Sequence, residues 1–232
     1  MATNVQTGTL SLDDIALVPV YQTFQGRYVD AMPALTAEGR IPMSISELMK
    51  RRLQVLQSEN EELVSAWWVN YFDSPDGVAY KGDEVKVVLN AQMLLDITPG
   101  AELNDGALVL TEKQYDGLPG KTFSRKQLEK YRRKIESEAG SMIKNQALEN
   151  PVWQAVAGSE LLEQYADAHF KRYDAKTAMG VYLSSSQDRP TMRTLILNYG
   201  DYHRSNLDGG RGLGGDIARL VGVREGLEGK VA

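Results

Sequence analysis

Cysteine is missing from all 232 residues, and histidine occurs only twice, at His169 and His203. Without cysteine there are no disulfides, thiolate metal sites, iron–sulfur clusters or cysteine nucleophiles. Two histidines exclude a three-histidine metal site within one chain. A basic excess is also missing. The 26 Lys and Arg against 31 Asp and Glu leave a net charge of -5, so overall charge gives no general attraction to nucleic acid. No apolar run approaches the ~20 residues that span a bilayer. The closest, residues 15–21, is short and contains Pro19. The opening MATNVQTGTLSLDD lacks the basic region and apolar run of a signal peptide. The expectation is a cytoplasmic protein with no membrane partner. No catalytic or cofactor motif stands above background.

What is present reads as globular. Hydrophobic residues make up 42% and charged residues 25%, as expected of a chain that buries a real core. The length fits one domain over residues 1–232, with a possible subdivision near 120–150. The densest aromatic and β-branched stretch, residues 64–90, predicts the centre of a sheet. Residues 66–72 are apolar on both faces and predict a strand covered on both sides. Ser74-Pro75-Asp76-Gly77 predicts a turn. After a second turn at Lys81-Gly82-Asp83, residues 84–89 alternate as a half-exposed strand, with Val85, Val87 and Leu89 inward. Residues 22–43 read as loop with short turns of helix. Capping boxes at Ser44/Glu47 and Ser124/Gln127 open two helices. The first carries its apolar stripe on to Leu63, and the second runs to about Asn145. In the first, Lys50, Arg51 and Arg52 come early and Glu59, Glu61 and Glu62 late, against the helix dipole. Asn150-Pro151 caps a third helix, and residues 159–173 form a fourth. Residues 179–184 and 191–199 predict a hairpin. Ile217, Leu220 and Val221 fit a short helix or strand. Runs of strands and runs of helices together predict an α+β fold. Its sheet is antiparallel, possibly mixed, built of short strands and hairpins and packed with about four helices.

Candidate functional groups cluster late in the chain. Gly210-Arg211-Gly212-Leu213-Gly214-Gly215 satisfies G-x-G-x-x-G, a spacing that lets backbone N–H groups wrap a phosphate. The preceding strand ends well upstream and no βαβ unit follows. A surface loop is therefore expected, with a mobile lid or an anion-binding loop using Arg211 as the alternative. Asp201, His203, Asp208 and Asp216 lie close by and have the right donors for a divalent metal that could activate water. Ser184-Ser185-Ser186 with Asp188 reads as turn chemistry, because a serine nucleophile needs a base in reach. Between Lys121 and Lys144, eight Lys and Arg face three acids. Such a ridge could contact phosphates, although i,i+4 pairs such as Glu129–Arg133 spend part of the charge. His169 fits a buried, hydrogen-bonded histidine. Trp67, Trp68, Tyr71 and Tyr80 fit a core better than an aromatic platform.

The leading functional expectation is a non-catalytic binding protein. It would contact an anionic ligand, nucleic acid or another phosphate-containing partner through Lys126, Lys130, Arg133, Arg193, Arg204 and Arg211. A first alternative is a metal-dependent hydrolase or phosphoryl-transfer enzyme using Asp201, His203, Asp208 and Asp216. A second is a structural, oligomer-forming protein.

Overall fold

The computed structural model describes residues 20–129, 131, 142–185, 188–198, 206–215 and 217–224. The elements run β1 (Tyr21–Gly26), α1 (Tyr28–Ala37), β2 (Ile41–Pro42), α2 (Ile45–Val55), α3 (Glu61–Trp68), β3 (Phe72–Lys81) and β4 (Glu84–Val88). They continue with α4 (Gln92–Leu95), β5 (Leu103–Asn104), β6 (Ala107–Val109), α5 (Glu112–Gly117), β7 (Lys121–Ser124), α6 (Arg125–Glu129) and α7 (Lys144–Glu149). The last are α8 (Pro151–Arg172), β8 (Val181–Leu183), β9 (Thr191–Leu197), β10 (Leu207–Gly209) and β11 (Ala218–Val223). The fold is α+β as expected, but the described residues hold eight helices rather than about four.

The strands join one sheet with the order β1-β11-β3-β9-β10-β8. It is mixed and mostly antiparallel: β11 with β3 and β10 with β8 are the parallel pairs. In β3, β9 and β11 nearly every residue is buried. Successive side chains of a strand point to opposite faces, so these strands feed two cores. Val78, Tyr80, Leu195, Leu197, Val221 and Val223 enter one, while Ala79, Met192, Ala218 and Leu220 enter the other. Helices α2, α3 and α8 close the first with Leu48, Met49, Trp67, Trp68, Trp153 and Tyr165. Helix α1, the short α4 and the glycine segment close the second, with Tyr28, Met32, Leu35, Leu94 and Leu213.

Several expectations give way here. Residues 66–72 are not a strand: Ala66, Trp67 and Trp68 end α3. The helix expected to run from Ser44 to Leu63 is two helices, with Asn60 Oδ1 accepting from Leu63 N to cap the second. The misplaced acids are thereby explained, because Glu61 and Glu62 lie in the first turn of α3, where the dipole favours them. Ser74-Pro75-Asp76-Gly77 lies inside β3 as a register shift between Asp73 and Gly77. Side chains replace the lost ladder bonds there. Ser74 Oγ donates to Leu195 O at 2.7 Å, Thr194 Oγ1 to Ser74 O at 2.7 Å, and Ile45 N donates to Asp76 Oδ2 at 2.7 Å. Residues 22–43 are β1, α1 and β2 rather than loop.

Strand β4 is not half-exposed. Val85 and Val87 are inward and Glu84 outward as expected, but Lys86 is buried, its Nζ donating to Tyr115 O at 2.9 Å, and Leu89 is exposed rather than inward. The second expected helix begins at its capping box, with Ser124 N bonded to Gln127 Oε1 at 2.8 Å. It does not continue as one helix to Asn145, since Met142 forms an isolated bridge with Ala178. Asn150 caps α8 as expected, and Gly158 (φ 70°, ψ 170°) splits that helix into 151–157 and 159–172. Strands β8 and β9 are not a hairpin, because β10 lies between them.

Candidate functional site

The glycine segment is a packed element of the second face. Its neighbour is the β5–β6 hairpin, whose two-residue turn is Asp105-Gly106 with φ of 47° and 72°. Positive φ at both turn positions is what a tight hairpin needs, and Asp-Gly supplies it at low cost. The turn sits directly on the segment. A Cβ on Gly106 would stand 2.8 Å from Gly212 Cα, and Leu213 N donates to Gly106 O at 2.8 Å. Val29 N of α1 donates to Leu213 O at 3.3 Å, and the Leu213 side chain is fully buried.

Two side chains tie the near end of the segment. Asp208 Oδ1 accepts from Gly210 N at 2.7 Å. Tyr80 OH donates to Gly209 O at 2.8 Å and accepts from Ser184 N at 3.2 Å. Burial pushes that phenol well above its usual pKa, so at neutral pH it remains a hydroxyl able to do both. The Arg211 guanidinium lies 4.7 Å from the Tyr71 ring centroid and that of Arg219 lies 4.4 Å from it. Each contact is attractive because the ring face is electron-rich.

Arg193 of β9 joins the parts. Its guanidinium donates from Nη1 to Gly210 O at 3.0 Å, and from Nη2 to Asp105 O at 2.5 Å and Asp105 Oδ2 at 3.0 Å. The Arg193 side chain is 4% exposed while that of Asp105 is 82% exposed. A buried cation thus grips, from beneath, a carboxylate that faces solvent. Bordering both the turn and the segment is an open cleft of about 600 Å³, lined by Arg27, Asp105, Gly106, Ser184, Arg193 and glycines of the segment. Arg27 reaches it from before α1, its guanidinium paired with Asp30 through Nε at 2.6 Å and Nη2 at 2.9 Å. The cleft offers acceptors at Asp105, donors at Arg27 and Ser184, and close approach to backbone. That is recognition chemistry by hydrogen bonding.

Of the residues singled out from sequence, Arg193, Asp208 and Arg211 meet at this segment. Lys126 is exposed on α6, the helix that follows β7. Lys130, Arg133, Asp201, His203, Arg204 and Asp216 lie outside the described residues. Among the described residues no group of three or more His, Cys, Asp or Glu could hold a metal ion. Trp67, Trp68 and Tyr80 are fully buried, and His169 stacks with Trp68 at 6.1 Å and Tyr165 at 6.4 Å. Asp105 and Arg27 were missed. Nothing local in the sequence ties Asp105 to Arg193, 88 residues away.

No family model matches the chain, and no curated protein matches its sequence. A solved structure shares the fold: the protein of the work described as "Accommodation of massive sequence variation in Nanoarchaeota by the C-type lectin fold". The two superpose with a TM-score of 0.65 over 88% of this chain and 97% of that one, at 19% identity. The phosphate- and nucleic-acid-binding expectation gives way on that fold and on how the arginines are used: Arg193 is spent on Asp105 and Gly210, and Arg211 stacks on Tyr71. The metal-dependent enzyme expectation gives way on the same fold; of its four expected ligands only Asp208 lies among the described residues, where its Oδ1 accepts from Gly210 N. Among the described residues no helix is long and apolar enough to cross a membrane. The chain has a C-type lectin-like fold.

Proposed function

We propose that this chain is a binding protein that takes a carbohydrate-type ligand in the glycine-segment cleft. The observation that carries the proposal is the solvent-facing Asp105 carboxylate gripped from beneath by buried Arg193. A carboxylate fixed in one orientation accepts from two neighbouring hydroxyls at once, and fixing it beforehand removes an ordering cost from binding. Arg27 and Ser184 donate to ring and hydroxyl oxygens from the other side of the cleft. The glycines let a flat ring approach the backbone. The fold supports the same reading, since the solved neighbour is described as accommodating massive sequence variation by the C-type lectin fold. A scaffold whose surface can change while its core persists suits recognition.

The test is a glycan array followed by saturation-transfer NMR on the best ligands. Wild-type protein should bind neutral oligosaccharides. Asp105→Ala should weaken binding at least about tenfold, the usual consequence of losing a charged hydrogen-bond partner. Arrays blank for the wild type would sink the proposal, and unchanged binding by Asp105→Ala would remove this cleft as the site.

A further inference from the structure

A second cleft lies on the other face of the sheet. Tyr21 pairs with Val223, and Val223 with Ile41, so three side chains stand in one row across β1, β11 and β2. Helix α2 runs over that row. Between them is an open cleft of about 300 Å³ whose helical wall is formed by Glu47, Lys50, Arg51 and Gln54, the Glu47 carboxylate being held by the Ser44 capping box, where its Oε2 accepts from Ser44 N and Oγ at 2.7 Å each. Ile41 is 49% exposed, an unusual state for an isoleucine beside a core.

Arg51 is the anomaly in this cleft. It is 6% exposed, with its guanidinium 4.8 Å from the Tyr21 ring centroid and 5.5 Å from that of Trp67. It forms no ion pair with any described residue. Its Nε has no acceptor, and the Nη1 bond to Gln54 Oε1 is long at 3.5 Å. Burial lowers its pKa, since desolvation disfavours the charged form. Two aromatic faces offset part of the cost of desolvating it. A carboxylate would offset more.

We propose that this cleft captures the carboxyl terminus of a partner polypeptide, with the terminal carboxylate on Arg51 and the last side chain, an apolar one, against Ile41 and Val223. A terminal residue carries its carboxylate and its side chain on the same carbon, which matches a small cleft pairing one cation with one apolar row. An internal Asp or Glu would bring its charge at the end of the only side chain available to fill that row. The proposal is independent of the glycine-segment cleft, which lies on the opposite face.

The experiment is calorimetric titration of the full chain with acetyl-Ala-Ala-Leu as the free acid and as the C-terminal amide. The free acid should bind, and the amide at least about tenfold more weakly. Arg51→Met should abolish the difference. Should that variant fail to fold, Ile41→Glu at an exposed position tests the same cleft and should weaken the free acid by a similar factor. Equal binding of acid and amide overturns the proposal, as does no binding of the acid. Acetate competing as well as the peptide overturns the assignment of the apolar row.

Discussion

The two faces of the sheet are built from the same strands but closed in different ways. On the helical face, α3 and α8 bring all three tryptophans, each fully buried, into the core that α2 helps to close. Trp68 stacks on Tyr165 at 5.5 Å, and Trp67 meets Tyr21 at 5.3 Å and Phe72 at 5.4 Å. On the other face, helix α1 shares the closing with short elements and glycines, and hydrogen bonds to single backbone atoms hold the glycine segment in place. The first arrangement gains stability from buried area. The second also buries a core, with Tyr28, Met32 and Leu35 fully buried, and in addition leaves polar groups oriented at the surface. The tryptophan-rich core and the cleft proposed for ligand binding are thus carried by one sheet.

Substitutions on each face should break that contrast in different ways. The largest effect is expected on the helical face, from Arg52→Leu. Arg52 is fully buried and donates to Trp67 O at 2.9 Å, Tyr165 OH at 2.7 Å, Asn70 O at 2.8 Å and Asn198 O at 3.0 Å. Removing it strands several buried acceptors, and about 3–5 kcal/mol should be lost in urea unfolding. Next comes Gly106→Ala on the other face. A side chain there meets Gly212 Cα and a φ of 72°, so about 1–3 kcal/mol is expected. Glycan binding should fall further than stability does, and a variant losing stability alone would argue against the cleft. Asn150→Ala removes the α8 cap, whose Oδ1 accepts from Val152 N at 2.9 Å and Trp153 N at 3.2 Å. The cost should be about 1 kcal/mol, with binding untouched.

The smallest effect is a slope with pH. Burial raises the Asp76 pKa above its ordinary value, and the N–H bonds from Asn90 and Ile45 only partly oppose this. For an acid raised on folding, the contribution to stability is present below its unfolded pKa and is lost as pH rises through the folded value. The stability of the wild type relative to Asp76→Asn should therefore fall between the ordinary carboxylate range and the raised value. A difference that stays flat across that window, in urea midpoints at several pH values, would contradict the assignment.

What could be read from sequence was what is held by neighbours in sequence. The Ser44/Glu47 box, the Ser124/Gln127 box, the Asn150 cap and the β3–β4 hairpin each rest on bonds spanning a few residues. Residues 66–72 misled because an all-apolar aromatic run looks alike in a buried helix and a buried strand. The turn chemistry at Ser74-Pro75-Asp76-Gly77 was real, but its polar side chains support a bulge inside β3. The place of β10 between β8 and β9 is a long-range choice that no local pattern encodes. The same holds for the cleft: its glycines were visible, while the Arg193–Asp105 grip that orients it depends on two distant strands meeting.

Arg52 has a further consequence, for the order in which the molecule opens. Its acceptors come from α3, the α3–β3 junction, α8 and the end of β9, up to 146 residues away in the chain. A half-assembled helical face would bury the cation before all its oxygens had arrived, a state worse than either the closed or the open one. Intermediates of that kind are penalised, so α2, α3 and α8 should open as one cooperative unit. Native-state hydrogen exchange would show it as a shared opening free energy for their inner amides. Separate values for the three helices would mean that the cation does not couple them.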